Sequence, residues 1–335
     1  MIFSWHTDLW ESRFRGKALP QSLLLTATRG TGEVDFALRV AKSRLCQTPG
    51  DTGDACGACD DCRWFDADTH PDFRRLDPSI EAVEQEGDED LKGGERDKKR
   101  QRTQISVDEV RGVIEFLHVA SHRGGARLVV IHPAHAMNAP AANALLKILE
   151  EPPAGAHFLL VTAQPARLPA TIHSRCVTLA LPKPSPREAA SWLADKGLAN
   201  PVLMLAQVGG APTAALELDE RYWAVREALL PHIAVGEPDW PALASRIGES
   251  DLPHLVHILQ TWCWDLTSAR FGGDVRYHPD QAKAITRAAT GVGALAVTEF
   301  VRKLAGARRL LGHPMNPKLF AEDLLMSYSR LTPAP

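Results

Sequence analysis

Four thiols, Cys46, Cys56, Cys59 and Cys62, fall in a C-x9-C-x2-C-x2-C array within 17 residues. Two residues between cysteines let one tight turn aim both sulfurs at a single ion, and Zn2+ takes four such ligands in a tetrahedron at about 2.3 Å. Gly57 and Ala58 are small enough for that knuckle. A complete set of thiolates leaves no open coordination position, so the spacing points to a structural rather than a catalytic zinc. The alternatives are a redox dithiol or ordinary buried thiols. Cys176 and Cys263 stand alone. A disulfide framework would spread its cysteines through a short secreted chain, so this clustering indicates a reducing, cytoplasmic compartment.

A second group keeps the outline of a phosphate-binding loop without its chemistry. Residues 21–28 read as a buried strand, Arg29-Gly30-Thr31-Gly32 as a turn, and 33–45 as a helix. A working loop needs G-x-x-x-x-G-K-[ST], with amides around the phosphates, Lys on the terminal oxygens and a hydroxyl on Mg2+. Here Gly32 is followed by Glu33 and Val34, and Ala27 stands where the first glycine is required. Glu33 brings a negative charge where a cation must meet a polyphosphate, and Val34 cannot ligate Mg2+. The next buried strand, at 126–131, ends in His132-Pro133-Ala134-His135 with no carboxylate to hold that ion. His132 and His135, and the pair His254 and His257, read as ordinary histidines because no third ligand stands near them.

The elements that would position these residues alternate at first between strand and helix. Short apolar runs at 71–76, 126–131 and 158–161 read as further strands. Ser106 and Glu109 form a capping box at the start of one helix. Another helix runs from about 139 to 150, with Pro140 in its first turn and Pro152-Pro153 as its stop. That alternation predicts a parallel α/β sheet. Segment 81–103 differs, with eight acids, six bases and three apolar side chains, and reads as a solvated loop insertion. Beyond about 182 the strands stop, and helices are expected at 186–196, 201–208, 212–232, 240–248, 251–271, 279–290 and 294–311.

At 335 residues, two or three domains are expected. No run of 18 apolar residues is present, which excludes a membrane span by length. Met1 to Trp10 has no basic stretch followed by an apolar region, so no secretion signal is expected. A net charge of -3 argues against an autonomous nucleic-acid binder built on charge alone.

Two strings carry a resemblance. Residues 142–153, Ala-Asn-Ala-Leu-Leu-Lys-Ile-Leu-Glu-Glu-Pro-Pro, are similar to the central helix of clamp-loader subunits. Phe158-Leu-Leu-Val-Thr162, followed by Leu168-Pro-Ala-Thr-Ile-His-Ser174-Arg175-Cys176, is similar to their sensor strand and Ser-Arg-Cys motif. The four thiols lie where bacterial members carry zinc, and the degenerate loop resembles the delta-prime family of the DNA polymerase III clamp loader. The resemblance covers about 1–215.

It implies a RecA-like AAA+ domain at 1–180, with the zinc module (46–62) and the insertion (81–103), a helical lid at 181–219 and a helical collar at 220–335. It implies a hetero-pentameric ring with gamma or tau ATPases and delta, which loads the beta sliding clamp onto primed DNA within a bacterial replisome. The chain would bind no ATP and have no ATPase activity of its own, while belonging to a nucleotidyltransferase holoenzyme. Arg175 would reach a neighbour's γ-phosphate as an arginine finger, supported by Ser174 and Cys176. Pro212, after Gly209-Gly210-Ala211, stands where active relatives place a nucleotide-sensing arginine, and Thr162 alone survives at the sensor strand. The competing expectations are an active gamma or tau-type ATPase and a zinc-dependent nucleic-acid binder.

Overall fold

Five short runs pair into one parallel sheet: β1 Ser22–Thr26, β2 Phe73–Leu76, β3 Arg127–Ile131, β4 Ala156–Thr162 and β5 Val177–Ala180. Their order is β2-β3-β4-β1-β5, and every pairing is parallel. The computed structural model describes residues 3–78, 104–119, 121–122, 125–235, 239–311 and 313–331, so the charged segment at 81–103 lies outside the described residues.

Side chains alternate across a strand, so each strand feeds two cores. Leu24, Val129, Ile131, Phe158 and Leu160 face α4 (Val107–His118) and α5 (Ala139–Glu150). Leu23, Leu25, Leu128, Val130, Leu159 and Val161 face α1 (Thr7–Arg13) and α2 (Glu33–Leu45). Helices on both faces explain why β3 and β4 are buried along their whole length. The capping box at Ser106 is present, and Asn138 caps α5 through a bond from Ala141 N of 2.8 Å, with Pro140 in the first turn. The sequence gives no sign of α1, α3 (Asp60–Asp66) or the edge strand β5, of which only Leu179 is partly covered. A four-residue α6, Ala170–His173, precedes Arg175.

The chain divides into two compact units, Met1–Pro184 and Ser185–Pro335. Among its described residues the second has helices and no strand: α7 Pro186–Asp195, α8 Pro201–Gln207, α9 Pro212–Ala215, α10 Glu220–Val235, α11 Trp240–Ser245, α12 Leu252–Arg270, α13 Ala282–Gly291, α14 Ala294–Leu310 and α15 Pro317–Ser329. A small core of Ala189, Leu193, Met204, Leu205 and Ala215 joins α7 to α9. A larger one surrounds Leu259 and Trp262 of α12 and includes Leu229, Phe300, Leu304 and Leu325. The helix expected at 212–232 is two helices. Asp219 accepts from Tyr222 N at 2.8 Å and so begins a new one at α10. Among the described residues, no single helix is long and apolar enough to cross a membrane.

Candidate functional site

Ligands of open parallel sheets bind beyond the carboxyl ends of the strands. At the end of β1 the chain turns through Gly30 (φ +78°) and Gly32 (φ +88°), left-handed conformations that suit glycine. The turn aims backbone N–H groups inward, as a phosphate loop does. Here Glu33, the first residue of α2, takes them. Its two carboxylate oxygens each lie 3.1 Å from Gly30 N, and Oε2 accepts from Thr31 N at 3.0 Å. The opening is also closed from the N-terminal side. A Cβ at residue 32 would stand 2.3 Å from the Phe3 ring. Phe3 stacks on Trp5 at 4.8 Å, and Trp5 Nε1 donates to Thr31 O at 2.9 Å. Thr31 and Glu33 are consequently buried. Val34 follows Glu33 in the first turn of α2.

At the ends of the neighbouring strands, His135 Nδ1 lies 2.9 Å from Thr162 Oγ1, which also accepts from Gln164 N at 3.1 Å. Burial holds the His135 pKa below its ordinary value, with the charges of Arg167, His132 and Arg29 acting in the same direction. The carboxylate missing from the end of β3 stands instead just past β2. Asp77 pairs with Arg75 at 2.8 Å and lies 3.4 Å from His132 Nδ1. His254 lies 3.5 Å from Asp219, and His257 Nε2 lies 3.0 Å from Gln207 O. Among the described residues, none of these histidines joins a group able to hold a metal. Pro212 opens α9 and is buried.

The four cysteines do form such a group, their sulfurs all within 4.8 Å of one another. Cys46 and Cys59 sulfurs are 3.9 Å apart, as are those of Cys56 and Cys62. A tetrahedron with bonds of about 2.3 Å has edges of about 3.8 Å, so two of the edges match a tetrahedral site and the set is close enough to share one metal ion. Gly57 takes φ +73° in the knuckle. Amides of Ala58 and Cys59 point at Cys56 Sγ from 3.4 and 3.3 Å. The Thr48 hydroxyl first, and then these amides, hold the Cys56 pKa down at about 5. Burial, with Cys59 beside it, pushes Cys62 up to about 12. The module is fastened to α2 by a two-point ion pair, Arg39 Nε to Asp54 at 2.6 Å and Nη2 at 3.0 Å, with the guanidinium stacked 3.8 Å over Trp10.

Arg175 follows α6, with its side chain 29% exposed. Nη1 donates to Thr171 O at 2.9 Å and to Ser174 Oγ at 3.1 Å. Nε donates to Glu150 Oε1 at 2.7 Å, and Nη2 donates to the same oxygen. Ser174 therefore lies beside the guanidinium, while Cys176 packs toward the core beneath the sheet. In the sequence Glu150 stands out only as part of the central-helix string. Its role as a partner was hidden because 25 residues separate it from Arg175.

Residues 5–185 match the family model described as DNA polymerase III, delta subunit. A DNA polymerase III subunit delta' from Pseudomonas aeruginosa is 37% identical over 222 residues, 65% of this chain and 61% of the relative. One from Escherichia coli is 33% identical over 257 residues, 75% of this chain and 71% of the relative. Among solved structures, a DNA polymerase III gamma-subunit-related protein from Thermotoga maritima aligns over 98% of this chain and 99% of its own, with a TM-score of 0.51. At 15% identity that likeness concerns the fold.

Proposed function

The chain belongs to the delta' subunits of DNA polymerase III, and from that premise we propose a clamp-loader subunit that holds no ATP and lends Arg175 to the ATP of a neighbour. Its first unit is a RecA-like AAA+ domain. The observation that carries the reading is Glu33, whose carboxylate occupies the loop amides that a phosphate would need. A polyphosphate would have to expel a buried anion, displace Phe3 and do without a lysine. Three further features agree: no carboxylate ends β3, Thr162 is engaged by His135, and Pro212 offers no charge.

Arg175 supplies what such a subunit retains. A guanidinium stays charged and can fork onto phosphate oxygens, and fingers of this kind raise turnover by about 10³–10⁵ in other NTPases. Ser174 supports it through Nη1. The partners in this reading are gamma or tau ATPases and delta, in a ring that acts on the beta clamp and primed DNA in the cytoplasm. Residues 181–219 serve as lid and 220–335 as collar. The four thiols hold a structural Zn2+, whose chemistry is to fix the 46–62 loop.

Two measurements test this. Calorimetric titration of the isolated chain with MgATP is expected to give no binding at micromolar concentrations. Micromolar affinity would favour the second reading, an active gamma or tau-type ATPase. In the reconstituted loader, Arg175→Ala is expected to lower clamp loading and ATP turnover while the ring still assembles. Unchanged turnover would count against the finger.

A further inference from the structure

Arg175 is already engaged inside its own chain, and the pattern of that engagement is informative. A guanidinium offers five N–H groups. The Nη1 side is held by Thr171 O and Ser174 Oγ. The Nε–Nη2 edge, the side that meets carboxylate and phosphate alike, is closed on Glu150, both donors converging on the single oxygen Oε1. A finger that grips phosphate oxygens with two parallel bonds needs that edge. Glu150 Oε1 therefore takes the two donors that a phosphate oxygen would need.

The setting favours exchange over permanence. Glu150 is the last residue of α5, where the helix dipole disfavours a negative charge. Its side chain is 48% exposed and that of Arg175 29% exposed, so water and incoming anions reach the pair. Exposed pairs of this kind shift an equilibrium by only about two- to fivefold. The bonds to Thr171 and Ser174 do not involve the fork and can persist while it changes partner.

We propose that Glu150 is a positioning residue that holds the Nε–Nη2 fork of Arg175 as a phosphate surrogate until a neighbour's triphosphate displaces it. The proposal rests on the finger reading above. The exchange swaps one oxyanion for another and breaks only hydrogen bonds. Glu150 keeps the fork in line in the unassembled chain, and it also competes with the nucleotide that Arg175 is meant to meet. A partner's ATP must be bound well enough to win that exchange, so the pair sets a threshold on the site this subunit closes.

The test uses the assembled loader with ATPase subunits competent only at the site that adjoins this chain. Glu150→Gln and Glu150→Ala are each expected to lower KM for ATP about two- to fivefold, with kcat retained because Nη1 stays anchored. In an Arg175→Ala background the same substitutions are expected to shift nothing. An unchanged or raised KM in both variants, or a fall in kcat in both, overturns the latch. The Arg175→Ala loader is the control on the premise: if it turns over like wild type, the finger reading fails, whatever the Glu150 variants do.

Discussion

At the scale of single residues, two carboxylates each engage donors of a kind that bind anions, one set dipolar and one cationic. Glu33 sits on backbone amides and Glu150 on a guanidinium. The sign of Glu33 was readable in the chain, since an acid in place of lysine repels a polyphosphate. Its return onto Gly30 N and Thr31 N was not, because that depends on left-handed turns at 30 and 32 that aim the amides inward. Glu33→Ala is expected to leave those buried amides without an acceptor, at about 1–3 kcal/mol of stability. Urea denaturation with and without millimolar sulfate reads it. Sulfate should recover part of the loss in the variant and leave wild type unmoved, whereas equal response of the two proteins would show that the amides were never the anion site. Only the His-Ser-Arg-Cys string singles out Arg175, since a lone arginine carries no such message.

Elements with strong boundary chemistry were the legible ones. α5 begins at an Asn138 cap with Pro140 behind it and ends before Pro152, so its length followed from the residues. β5 lies at the sheet edge, where Val177 and Thr178 are exposed and no apolar run forms. α15 was missed although Asn316 caps it and Pro317 opens it, since Lys, Glu, Asp and three Ser or Tyr residues dilute its apolar stripe. Gln207 was hidden inside an expected helix. It is fully buried, accepts from Tyr222 Oη and Arg226 Nε at 2.6 and 3.1 Å, and donates to Tyr277 O, joining α8 to α10 and to the turn before α13. The thiol module is the element whose spacing alone was sufficient to predict that four sulfurs gather within 4.8 Å of one another, because the turns that gather them are local. Cys59→Ser is expected to drop metal content from one zinc per chain toward none, and to open the 46–62 loop to protease. The ATP turnover of the assembled loader should change far less than with Arg175→Ala. Elemental analysis and limited proteolysis check it, and full zinc retention by the variant would remove Cys59 from the ligand set.

At the scale of the whole chain, near-balanced charge conceals a one-sided response to acid. Burial lowers the pKa of five described histidines, His6, His135, His157, His257 and His278. The two extremes lie one in each unit. His6 packs among Phe3, Trp5 and Phe36, and burial takes its pKa to about 4, against the nearby Pro182 carbonyl, which favours the protonated ring, and with the charge of Arg39, which lowers it. His278 falls to about 3 through burial, the charge of Arg226 and that of His257, which together outweigh Asp280. Each is neutral in the folded chain down to those values, while in the unfolded chain it takes a proton below about 6.5. The unfolded state therefore binds more protons between pH 6.5 and 4, and stability falls as pH falls through that window, by up to about 1.4 kcal/mol per pH unit for each histidine. Above pH 6.5 neither residue contributes a slope. Burial raises the Asp265 pKa, and the hydrogen bond and charge of Arg226 lower that of Asp280 despite its burial; carboxylates ordinarily titrate well below histidine, so the slope is read from pH 7.5 to 5. His6→Phe keeps the aromatic packing and removes the proton site. Urea midpoints measured across that range are expected to give a shallower pH slope in the variant by close to one proton. An identical slope would mean that His6 is not held neutral by its aromatic surroundings.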